Sequence, residues 1–131
     1  MMKTKYAKGI ALSAITVKNI ETSKRLFVDL LGLELKDYAP EYNWMEIGGD
    51  EGALLGVGQE SQECADVGYQ QAPGDNAWVS ISVENLEESK KHLEDNGIEF
   101  IGDVFEVPGH VKMALFNDGD GNRFWLCEKL D

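Results

Sequence analysis

Apolar and polar positions alternate along residues 12–17 and again along 78–83. In the first stretch Ile15 and Val17 interleave with Ala14 and Thr16; in the second Val79, Ile81 and Val83 interleave with Trp78, Ser80 and Ser82. A period of two predicts a strand with two unlike faces. Behind each strand the period lengthens. Leu26, Phe27, Leu30 and Leu31 form an apolar stripe at helical spacing, and Leu86 with Leu93 forms a thinner one. Asn19 and Asn85 stand where an N-cap side chain accepts from a free backbone N–H, and Glu88 completes a capping-box spacing after Asn85. Gly32 and Gly97 stand where a left-handed residue ends a helix. Three further strands are predicted behind each helix, at about 33–38, 42–48 and 53–58, then at about 98–105, 111–117 and 123–128. Glycine-rich turns at 48–52 and 118–122, and Pro108-Gly109, separate them. Residues 59–76 are polar, carry Pro73-Gly74 and read as a connector.

The two halves are copies of one unit. Residues 15–29 (ITVKNIETSKRLFVD) align with 81–95 (ISVENLEESKKHLED) at a constant offset of 66, with identities that include Ile15/Ile81, Val17/Val83, Asn19/Asn85, Ser23/Ser89 and Asp29/Asp95. After a gap of one residue, Gly32-Leu33-Glu34-Leu35 aligns with Gly97-Ile98-Glu99-Phe100. The fold class is α+β: two tandem βαβββ modules, about 9–58 and about 77–129, in one domain spanning residues 1–131.

Two βαβββ modules that carry Val17-Lys18-Asn19 before the first helix, Phe27 through Leu31-Gly32-Leu33 at its end, and Asp118-Gly119-Asp120-Gly121-Asn122 before the last strand resemble the vicinal oxygen chelate superfamily. Glyoxalase I, bleomycin-resistance proteins, extradiol dioxygenases and fosfomycin-resistance enzymes belong to it. The resemblance covers roughly residues 9–129. It departs at Gly119, where the family usually has proline. It implies a cupped mixed sheet around one cavity, helices on the outer face, and two-fold dimers, sometimes with modules exchanged between chains. Metal-dependent members place one His, Glu or Gln ligand on the first and one on the last strand of each module. In this chain those four positions carry Leu12, Gly56, Trp78 and Trp125. None of these side chains can bind a divalent cation, and their immediate neighbours, with no His, Glu or Gln among them, are no better. No metal and no other cofactor is therefore expected.

Strand parity assigns what would line the cup instead. Ile15, Val17, Val79, Ile81 and Val83 suit the helix-packed side. Leu12, Ala14, Thr16, Trp78, Ser80, Ser82, Gly56, Gly58, Arg123, Trp125 and Cys127 then face the cavity. Tyr42, Trp44 and Glu46 share one parity on a middle strand and are assigned to the same side. The candidate ligand-binding set is Trp44, Glu46, Gly56, Trp78, Ser80, Arg123 and Trp125: indoles that stack on flat or cationic molecules, small residues that leave room, and a carboxylate able to pair with Arg123 or with a cationic ligand. The opposite expectation is that the tryptophans plug the cavity as core.

Charge narrows the partners. The 131 residues carry a net charge of −12, with no basic surface for nucleic acid or an anionic membrane. No stretch is long and apolar enough to span a bilayer or to act as a signal peptide, so the cytoplasm is the expected compartment. Cys64 and Cys127 make no disulfide framework, His92 reads as a surface residue and His110 as a loop residue. Three functions follow. The first is a metal-free binder of a small aromatic or cationic molecule, resembling the bleomycin-resistance branch, with antibiotic sequestration as one form. The second is a metal-dependent lyase or dioxygenase using other ligands, such as Glu46, Glu60, Asp103, Glu106 or His110. The third is a homodimeric interaction module with a filled cavity.

Overall fold

The alternating stretches form the predicted strands, and the strands build two mixed sheets of four. The computed structural model describes residues 12–68, 70–76 and 79–130. In the first module β1 (Leu12–Val17) leads into a helix, followed by β2 (Glu34–Ala39), β3 (Trp44–Gly48) and β4 (Leu54–Gln59). In the second, β5 (Val79–Ser82) leads into a helix, then β6 (Glu99–Val107), β7 (Val111–Asn117) and β8 (Arg123–Lys129). The sheet orders β1-β4-β3-β2 and β5-β8-β7-β6 are the same topology used twice. β1 runs parallel to β4 and β5 to β8; the remaining pairs are antiparallel.

Both helices start as the repeat predicts. Asn19 Oδ1 accepts from the Glu21 and Thr22 amides at 2.9 and 3.1 Å, and Asn85 Oδ1 accepts from Glu88 N at 3.0 Å. A second cap comes from the far end of each module. Ile20 N donates to Gln59 Oε1 at 3.0 Å, and Leu86 N donates to Glu128 Oε1 at 2.7 Å. Gln59 and Glu128 are equivalent in the repeat, so each last strand satisfies the first free amide of its own helix. Gly32 (φ 78°) and Gly97 (φ 87°) close the helices in the left-handed region.

The one-residue gap in the repeat has a structural cause. Helix α1 (Ile20–Lys24) passes into a π-helical turn, Arg25–Leu30, where Leu31 N donates to Leu26 O at 3.0 Å. Its counterpart α3 (Leu86–Asp95) is α-helical throughout. A π turn holds one more residue than an α turn, and that is the residue the second module lacks.

The two modules share one hydrophobic cluster. Ile15, Val17, Met45, Ile47 and Val57 of the first sheet and Ala114, Phe116, Phe124 and Leu126 of the second are buried with Phe27, Leu86 and Leu93 from the helices. Phe27 meets Phe124 edge-on at 5.1 Å, and Phe124 stacks on Phe116 at 5.5 Å. Exposed His92 adds a polar link, its Nε2 donating to the Leu30 carbonyl at 2.9 Å.

Two local expectations change. Tyr42 is not on β3: Pro40 fixes a 3₁₀ turn over Pro40–Tyr42, Asn43 takes the left-handed region (φ 52°), and Tyr42 is 79% exposed. The connector is not wholly irregular either. Ser61 caps a short helix, α2 (Gln62–Asp66), by accepting from Cys64 N. Among the described residues no helix is long and apolar enough to cross a membrane.

Candidate functional site

On the first sheet, the face away from the helices is built around Trp44. Gly56 and Gly58 lie beside it on β4, in register with Glu46 and Trp44. The indole lies directly over both glycines: a Cβ on Gly56 would overlap its Cζ2 and Cη2, and one on Gly58 would reach Cε3 at 3.3 Å. Two residues along β3, Glu46 accepts from Trp44 Nε1 at 3.0 Å. Absence of side chains on β4 is therefore what seats the ring. Trp44 remains half-buried, as does Glu46.

On the second sheet, Ser80 of β5 is in register with Trp125 of β8, which is in turn paired with Leu115 of β7. Ser80 is exposed and Trp125 half-buried. Arg123 stands two residues before Trp125 at an exposed position, and Asn76 holds its backbone by two hydrogen bonds of 3.0 Å. Trp78 lies outside the described residues. The structure thus groups Trp44, Glu46 and Gly56 on one sheet, and Ser80, Trp125 and Arg123 on the other. Of the two roles open to Glu46, an ion pair with Arg123 is not among the salt bridges of the described residues; its carboxylate accepts from the indole N–H of Trp44.

Donor chemistry at the family's metal positions does not fit a divalent ion. Leu12, Gly56 and Trp125 offer hydrocarbon, no side chain and an N–H donor. The substitute ligands are not gathered either. Among the described residues, no group of three or more His, Cys, Asp and Glu could hold a metal, so Glu46, Glu60, Asp103, Glu106 and His110 form no centre.

The turn that carried the family resemblance does a different job. Asp118, 8% exposed, accepts from the Asp120 and Asn122 amides through Oδ1, at 2.9 and 3.1 Å, and from Asn122 Nδ2 through Oδ2 at 2.9 Å. Asn122 is fully buried. Its Nδ2 also donates to the Thr16 carbonyl at 3.0 Å, and its Oδ1 accepts from Gly74 N at 2.8 Å. Asp120 Oδ2 accepts from Lys18 N at 2.8 Å. The turn is a latch from the second module onto β1 of the first. Gly119 has φ 98°, a conformation closed to the proline usual there. In the sequence this segment is legible as a turn and as the family motif; its contacts with residues 16 and 18 carry no local signal.

Burial pushes the Asp118 carboxyl above its ordinary value of 3.8, while its hydrogen bonds with Asn122 and Asp120 pull the other way. The folded chain therefore binds this proton at a higher pH than the unfolded chain. The resulting contribution to stability is fully present below pH 3.8 and is lost as pH rises through the raised value. A carboxyl-carbon NMR titration should give Asp118 a midpoint above 3.8; a midpoint below it would contradict the assignment.

Residues 9–126 match the family model described as Glyoxalase/Bleomycin resistance protein/Dioxygenase superfamily. No curated protein matches the sequence. Among solved structures, a member of that superfamily from Sphaerobacter thermophilus superimposes with a TM-score of 0.72 at 20% identity, covering 94% of this chain and 98% of the other. TnmS3, an antibiotic binding protein from a Streptomyces species, gives 0.72 at 18% identity, covering 96% and 99%. A Staphylococcus aureus protein, SA1046, gives 0.73 at 16% identity, covering 95% of each chain. Repeat, topology and family model agree: the chain belongs to the Glyoxalase/Bleomycin resistance protein/Dioxygenase superfamily.

Proposed function

We propose that the chain is a metal-free binder of a small aromatic or cationic molecule. The observation that carries this reading is the half-buried indole of Trp44, seated flat on Gly56 and Gly58 with Glu46 at its edge. One ring face is fixed from behind, and a carboxylate stands beside it. That is a platform for stacking or for a cation over the ring. Trp125, Ser80 and Arg123 extend the lining on the second sheet, and Trp78 completes the set by the repeat. An antibiotic binding protein shares the fold, and sequestration of an antibiotic is one form this activity would take. The binder works in the cytoplasm as a homodimer. Phe105 (55% exposed) and Val104 (37% exposed) on β6 supply an apolar surface for a second copy.

Tryptophan emission should respond saturably to a panel of planar aromatic and quaternary ammonium compounds. Trp125→Ala should weaken the best of them about tenfold. A flat response across the panel would overturn the reading.

One observation favours the filled-cavity alternative: the Trp44 ring occupies the space its glycines leave. Gly56→Ala separates the two. The new methyl must displace the indole. If Trp44 is a platform, the variant folds with red-shifted emission and reduced binding. If Trp44 is core, the variant loses about 1–3 kcal/mol of stability, the range for overpacking.

A further inference from the structure

The latch made by residues 117–122 has a counterpart position in the other module, and there the joint is open. At this end of the repeat Gly56 corresponds to Trp125 and Gln59 to Glu128, so Gly48–Ala53 corresponds to Asn117–Asn122. By the same repeat, Thr16 and Lys18 correspond to Ser82 and Glu84. On the closed side Asn122 and Asp120 bind Thr16 and Lys18, and Thr16 is 7% exposed. On the other side Ala53 stands in place of Asn122, and a methyl group can neither donate nor accept. Ser82 is exposed there. Between this turn and β5 lies a cleft of about 810 Å³, bounded by Gly48–Ala53 and by Val79–Glu84.

Its lining gives the chemistry of an occupant. Ile47 and Leu55 form an apolar floor, and Val79, Ile81 and Val83 a half-buried apolar wall. Asp50, Glu51 and Glu84 stand on the rim at exposed positions, and among the described residues no Lys, Arg or His lines the cleft. The volume is that of a small-molecule site. The charge favours a positive group at the mouth, in a chain whose net charge is −12. We propose that this cleft is a second ligand site, which shares Ser80 at its edge with the Trp125 face, and that it takes an amphipathic organic cation: an alkyl body on the valine wall and an ammonium at the acidic rim.

The test uses the full chain with labelled Ile, Leu and Val methyls and octyltrimethylammonium below its micelle concentration. Saturable shifts are expected at Val79, Ile81, Val83 and Leu55, with octyl sulfate at least about tenfold weaker. Glu84→Gln with Asp50→Asn should weaken the cation and leave the fold intact, since both side chains are exposed. Ala53→Asn, which supplies the missing latch residue, should compete with the cation. The proposal is overturned if no methyl of the cleft shifts, if octyl sulfate binds there equally well, or if the charge variant binds unchanged. A response confined to tryptophan emission would overturn it while leaving the Trp44 platform standing, so the two readings fail separately.

Discussion

Asn122→Ala is expected to lower unfolding free energy by about 3–4 kcal/mol, because three partners, two of them buried, lose their hydrogen bonds together. The Thr16 carbonyl, the Gly74 amide and the Asp118 carboxylate all point at this one side chain, which has no exposure. Each unsatisfied group costs about 1–3 kcal/mol, and water entering the space recovers part of it. Urea unfolding measures the loss as a shift in midpoint at unchanged slope. Asn122→Asp sharpens the result. It keeps an acceptor for Gly74 N, but sets a second carboxylate against Asp118 and the Thr16 carbonyl. It should be comparably unstable at neutral pH and regain stability in acid, when a shared proton restores a donor. A loss below about 1 kcal/mol for the alanine variant would show that the latch is not a structural joint.

Phe124→Ala should have an effect of similar size, about 3–5 kcal/mol, by a different route. Phe124 is fully buried between the edge of Phe27 and the face of Phe116. Truncation opens a cavity whose walls come from both modules: Phe27 on the first helix, Phe116 on the second sheet. Because those walls belong to different modules, the variant should also lose the sharpness of a single transition. Thermal unfolding followed by near-ultraviolet circular dichroism and by calorimetry would report both changes. Phe124→Leu, which refills much of the volume, should recover more than half of the loss. A stability change confined to the second module would contradict the shared core.

The duplicated fold is legible in the sequence because its signals are local. Asn19 and Asn85, the alternation at Ile15-Val17 and Ile81-Val83, and the closing glycines each act within a few residues. Their agreement at a constant offset identifies the module. Tyr42 departs from the expected parity because the alternation of Trp44 and Glu46 does not extend back across Asn43, whose left-handed backbone (φ 52°) separates the tight turn from β3. The helix at Gln62–Asp66 was missed because it has no apolar stripe and depends on one serine cap. The candidate site is legible only in part. Parity assigns Trp44, Glu46 and Gly56 to one face, but the seating of the indole on two glycines is a tertiary contact. The same holds for the paired caps from Gln59 and Glu128, which reach back 39 and 42 residues.

The widened turn at Arg25–Leu30 lets the two halves of a duplicated gene differ in length without losing phase. The additional residue is absorbed within one turn, so Asn19 before it and Gly32 after it keep the places their mates hold. Phe27 holds the place of its mate Leu93, eight residues after the cap asparagine and fully buried like it, so the additional residue falls behind the aromatic joint with Phe124 and leaves it in register.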